Sequence, residues 1–81
     1  MKRVAGHRDH EGRLAQLGEA IRCHRKTVGL SQEALADAAE IDRSHMGKIE
    51  RGERNVSVLN LIKIAAALDK RPSELLGSAD L

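Results

Sequence analysis

Apolar residues recur at helical intervals along most of this chain. From about Glu11 to Val28, Leu14, Leu17, Ile21 and Val28 fall on one stripe, which predicts an amphipathic helix. His24 lies on the same stripe and reads as a packed or half-exposed histidine, because no other candidate ligand stands in register with it. Gly29 ends this helix. "LSQEALADAA" starts a second, with Ser31 as N-cap and Glu33 in the first turn, where the helix dipole favours an anion. Leu35 and Ala39 face inward there, with the small Ala36 beside them. "EID" breaks the pattern within three residues, and Asp42 caps a third helix, Arg43 to about Arg51, that buries Met46 and Ile49. Gly52 stops it. Ser57 caps a fourth helix with Leu61, Ile64, Ala65 and Leu68 on one face and Val58 and Ile62 toward another. Pro72 suits the first turn of a short fifth, "PSELL", because its missing N–H is not needed there. No strand pattern appears. The pattern predicts an all-α domain over residues 11–81, preceded by an arm, residues 1–10, that lacks periodicity.

Eighty-one residues make one domain with a single core. The 41% apolar content with this periodicity argues against a disordered chain, despite 32% charged residues. Phe, Tyr and Trp are absent, so the stacking platforms used by single-stranded nucleic acid binders are missing too. Net charge is only +2 but uneven: residues 1–30 carry seven Lys and Arg against three Asp and Glu. Such a basic end suits a polyanion partner, and equally an ordinary solvated surface.

Cys23 is the only cysteine, which rules out an intrachain disulfide and points to a reducing cytosol. Its thiol reads as structural or incidental, with an intermolecular redox bridge as the alternative. No apolar run has the length of a membrane span and no signal-peptide pattern precedes the domain. The expectation is a soluble, cytoplasmic protein without a membrane partner. His7, Asp9 and His10 could hold a metal, but no second cluster supports them, and a solvated tail is the plainer reading. No nucleophile stands with a base and an orienting acid, and no phosphate-binding glycine loop is present. The chain is therefore expected to be no enzyme and to need no cofactor, metal or small-molecule ligand.

The informative stretch is "IDRSHMGKIERGERN", residues 41–55. It places four Arg and Lys, three Asp and Glu and two glycines around only two large buried-type side chains within the helix, Met46 and Ile49. The short turn before it forces a steep crossing with the second helix, and Ala36 keeps that crossing close. Arg43, Ser44, Gly47 and Lys48 are left on the outer side or the leading end. Arginine can bond guanine O6 and N7 together, while Ser and Lys reach bases or phosphates. A module built only for protein contacts would instead show an acidic or apolar outer face.

From about Leu14 to Leu76 the chain resembles the Cro/CI-type (XRE-type) helix-turn-helix domains of phage repressors and bacterial regulators. The residues that carry the resemblance are "GLSQEALA", "IDRSHMGKIERGERN", "LNLIKIAAAL" and "PSELL", in that order. The "DRS" opening and "IERGERN" look most like controller proteins of restriction-modification systems. The resemblance implies a five-helix fold and roles residue by residue. Arg43, Ser44, Gly47 and Lys48 stand where the family reads bases. Gln32 looks like the glutamine that binds a phosphate and braces the recognition helix, and His45, Arg54 and Asn55 occupy backbone-contacting positions. Arg25 and Glu50 match an ion pair tying the first helix to the third. Two residues depart from the pattern. Glu40 takes a turn position that is usually glycine, at a cost on the order of 1 kcal/mol, and His24 replaces an apolar residue.

The function expected is sequence-specific binding of double-stranded DNA by a homodimer on a (pseudo)palindromic operator, as a transcriptional regulator. The alternative is an antitoxin-type or accessory protein whose main partner is another protein. Val58, Leu59, Ile62, Leu75 and Leu76 exceed what one inward face can use, and Leu81 adds to the surplus. They are expected to form the dimer interface.

Overall fold

The computed structural model describes residues 12–81, so the expected arm at 1–10, including His7, Asp9 and His10, lies outside the described residues. Those residues form α1 (Arg13–Thr27), α2 (Gln32–Ala39), α3 (Arg43–Glu50), α4 (Val58–Ala67) and α5 (Pro72–Ser78), with no strand among them. No helix among them is long and apolar enough to cross a membrane.

Local chemistry sets both ends of these helices. Ser31, Asp42 and Ser57 each accept, through a side-chain oxygen, the N–H three residues on, at 3.0, 3.2 and 3.0 Å. Each bond satisfies one of the donors that a helix start leaves without an intrahelical partner. At α5 the Glu74 carboxylate instead accepts the Arg71 N–H at 2.9 Å.

All five helices end in one way. The N–H groups of Leu30, Ile41, Glu53, Lys70 and Leu81 return to the carbonyls of Arg25, Ala36, Lys48, Ala65 and Leu76, at 2.8–3.1 Å. The residue before each donor is left-handed, as this closure requires. Gly29 and Gly52 take that conformation, as do Glu40, Asp69 and Asp80 with φ of 56°, 57° and 61°. Glu40 is thus where its departure from the glycine pattern placed it. Asp69 and Asp80 carry the same strain with no glycine to signal it.

The core joins Leu17, Ala20 and Ile21 of α1, Leu35, Ala36 and Ala39 of α2, and Met46 and Ile49 of α3 to Leu61, Ile64, Ala65 and Leu68. Leu75 and Ala79 complete it from the last helix. Helix α1 packs on α3 and α5, α2 packs on α3 and α4, and α4 meets α5. A mid-helix glycine makes one of these approaches close. Gly18 is buried, and a Cβ there would overlap the carbonyl oxygens of Ile49 and Glu50. The two backbones touch, which brings the end of α3 against α1.

Two expectations fail. Val28 is 49% exposed rather than part of the inward stripe, because α1 closes at Thr27 and the chain turns, leaving Leu30 to pack on the core. Leu75 is no surplus residue for an interface: it is fully buried. Helix α5 lies across both α1 and α4, so Leu75 and Ala79, one turn apart, are its core face. Leu76 is half-buried against the same core. The exposed apolar set on α4 is Val58, Leu59 and Ile62.

Candidate nucleic-acid interface

The N-terminus of α2 and the outer side of α3 form one surface, and a buried polar network fixes their relation. Arg25, in the last turn of α1, donates from Nε and Nη2 to the two carboxylate oxygens of Glu50, at 2.8 and 3.1 Å, and from Nη1 to the Leu30 carbonyl at 2.9 Å. Their side chains are only 10% and 3% exposed. Glu50 Oε1 also accepts from Gln32 Nε2 at 3.1 Å. One carboxylate at the end of α3 thus gathers a guanidinium from α1 and an amide from the first residue of α2. No side-chain nitrogen or oxygen buried among the described residues lacks a partner, so the network carries no unpaired charge. Gln32 keeps its second amide hydrogen for another acceptor.

Gln32, Arg43, Ser44, Gly47 and Arg51 line an open cleft of about 450 Å³ between these helices. Gly47 is buried, and its missing side chain provides clearance: a Cβ there would lie 3.2 Å from both Gln32 Oε1 and Arg51 Nη1. Of the residues expected to read bases, Arg43 and Ser44 are exposed at this cleft, Gly47 is its floor, and Lys48 is half-buried outside the lining. His45 is half-buried too, its N–H held by Asp42. Arg54 and Asn55 are exposed in the segment between α3 and α4, outside that lining.

Arg43, Lys48, Arg51 and Arg54 stand on or beside this surface, and Glu53 neutralises one of them. Arg51 donates from Nε and Nη2 to Glu53 at 2.9 and 3.3 Å. That hydrogen bond, more than any other cause, holds the Glu53 carboxyl below its ordinary range; desolvation opposes it, and attraction from Arg51, Lys48 and Arg54 adds to it. The same bond raises Arg51. Helix-turn-helix organisation matches this geometry, and a family profile described as helix-turn-helix covers residues 21–75.

The chain belongs to the helix-turn-helix family.

This is a family of DNA-binding transcription regulators, in its XRE-type branch. The chain is 42% identical over 60 residues to control protein C.SmaI of Serratia marcescens, covering 74% of this chain and 71% of that protein. Control protein C.MunI of a Mycoplasma species is 45% identical over 51 residues, 63% of this chain and 69% of that one. Among solved structures, the restriction-modification controller protein C.AhdI from Aeromonas hydrophila is 50% identical, with a TM-score of 0.76, over 76% of this chain and 94% of that one.

Two residues that shape this site carry only weak sequence signals. Arg51 reads from the sequence as the end of α3 although it lies in the cleft; its spacing of four from Gly47 is the available signal. Gly18 of α1 stands on an otherwise apolar stripe, where a glycine inside a helical pattern can mark a packing contact. The departure at His24 is also accounted for, since its Nε2 lies 2.9 Å from Ser78 Oγ and ties α1 to α5. Among the described residues no group of three or more His, Cys, Asp and Glu could hold a metal.

Proposed function

We propose that this protein is a cytoplasmic, sequence-specific regulator of transcription that binds double-stranded DNA as a homodimer on a (pseudo)palindromic operator. The observation that carries the reading is the cleft of Gln32, Arg43, Ser44 and Gly47, braced through Glu50 against α1. Such bracing keeps α3 in one orientation, so base contacts are met without reordering the protein. Arg43 and Ser44 lie in the first turn of α3 and read base edges, joined by Lys48. Gln32, His45, Arg54 and Asn55 hold the phosphate backbone. The resemblance to control proteins supports the regulatory role.

Dimerisation is supported by Val58, Leu59 and Ile62, which are 72%, 71% and 45% exposed and share the first turns of α4. A two-fold pair formed there would set the two α3 helices about 34 Å apart, one helical turn of DNA. The test is Arg43→Ala, with binding measured on a duplex that the wild type selects from a randomised pool. The variant should lose roughly 1–3 kcal/mol and relax its preference at one base pair per half-site. Unchanged affinity and selectivity would refute the base-reading role.

A further inference from the structure

Arg51 makes its ion pair in a way that adds little to the fold. It and Glu53 are two residues apart, and their side chains are 57% and 53% exposed. Pairs of that kind contribute next to nothing to stability. Their geometry is nevertheless well defined. The turn that ends α3 returns the Glu53 N–H to the Lys48 carbonyl at 2.8 Å, which fixes where the carboxylate starts. That carboxylate takes the Nε–Nη2 side of the Arg51 guanidinium. On the other side of the guanidinium, Nη1 stands at the cleft floor, where a Cβ on Gly47 would lie 3.2 Å from it and 3.2 Å from Gln32 Oε1.

A guanidinium clamped on its Nε–Nη2 side still offers two parallel N–H groups from its end. Such a pair matches either the two oxygens of a phosphate or the O6 and N7 of guanine. Charge separates these two ligands. A phosphate is bound chiefly by net positive charge, and the Glu53 carboxylate cancels that of Arg51 and repels the phosphate directly. The guanine edge is neutral and asks for aimed donors rather than charge, and aiming is what the carboxylate supplies. The position agrees, because Arg51 shares its cleft with Arg43 and Ser44.

We propose that Arg51 is a further specificity-determining residue that bonds a guanine edge through its Nη1–Nη2 end, with Glu53 as the positioning residue that aims it. This rests on the duplex-DNA reading above.

The experiment measures affinity of the full chain for two duplexes, one selected by the wild type from a randomised pool and one of random sequence and equal length. Arg51→Ala should weaken the selected duplex about tenfold or more, as expected for loss of a paired contact to guanine, and the random duplex far less. Arg51→Lys keeps the charge but not the paired donors, and should lose the same preference while leaving random binding near wild type. Glu53→Gln should weaken the selected duplex several-fold, and should add nothing in the Arg51→Ala background. Circular dichroism of each variant should show unchanged helix content.

Equal loss on both duplexes would make Arg51 a phosphate contact and overturn the proposal. Tighter binding by Glu53→Gln would do so too, since the carboxylate would then be a competitor for Arg51 rather than its support. Arg43→Ala run alongside separates the two levels. If Arg43→Ala loses selectivity and Arg51→Ala does not, only the role of Arg51 falls. If wild type selects no duplex, the DNA reading falls with it.

Discussion

Replacing Glu50 by leucine removes the carboxylate on which α1, α2 and α3 converge, and its cost follows from the burial of what remains. Arg25 is 8% exposed and would keep only the Leu30 carbonyl at 2.9 Å as a partner. Breaking one half of a buried pair costs about 3–5 kcal/mol, chiefly because the other charge is stranded. A domain of this size has roughly 4–12 kcal/mol in total, so Glu50→Leu should be close to unfolding at 37 °C. Replacing both partners, Arg25→Met with Glu50→Leu, strands no charge and should return to within about 1 kcal/mol of wild type. Gln32 loses its acceptor in that variant but is half-buried only, and water can serve it. With no aromatic residue in the chain, fluorescence cannot follow unfolding. Urea denaturation read by far-ultraviolet circular dichroism is the assay, with an unchanged denaturant slope showing that the transition is the same. A single-variant cost below about 1 kcal/mol, or a double-variant cost equal to the sum of the singles, would refute the reasoning.

Gly18→Ala should destabilise by about 1–3 kcal/mol, the cost of overpacking a closed contact, since its methyl group meets backbone carbonyls rather than a flexible side-chain end; urea midpoints near wild type would contradict that contact. Glu40→Gly should raise stability by about 0.5–1 kcal/mol, because relief of left-handed strain exceeds the added freedom of the unfolded chain. A fall in midpoint would show that the Glu40 side chain makes a compensating contact. Ile62→Glu should shift the protein toward monomer in sedimentation and weaken operator binding while helix content holds. A wild type that stays monomeric well above micromolar concentration, with or without DNA, would remove the basis for the dimer.

The helices were legible because their signals are local. Ser31, Asp42 and Ser57 cap the N–H three residues on, an interaction complete within one turn of chain. The apolar stripes that name Ile21, Leu35, Met46, Ile49 and Ile64 as buried need only the helical period. The order of motifs from "GLSQEALA" to "PSELL" carried the family. Left-handed Glu40 is legible through the glycine it replaces, whereas Asp69 and Asp80 resemble ordinary exposed acids and give no sign.

What tertiary structure decided were relations between residues far apart in the chain. Residue type alone cannot tell whether Leu75 faces a core or a partner; the answer depends on where α5 lies against α1 and α4, and it is the core. Arg25 and Glu50, 25 residues apart, read unaided as two unrelated surface charges. Family likeness paired them, but only the fold shows Gln32 joining the same carboxylate and the pair buried. Arg51 belongs to the cleft because its Nη1 stands beside Gly47 while Glu53 holds its Nε–Nη2 side. A period of 3.6 says which way a side chain leaves a helix, but not what it meets, since that depends on how other helices cross, and here the crossing of α1 and α3 rests on the absence of a single Cβ at Gly18.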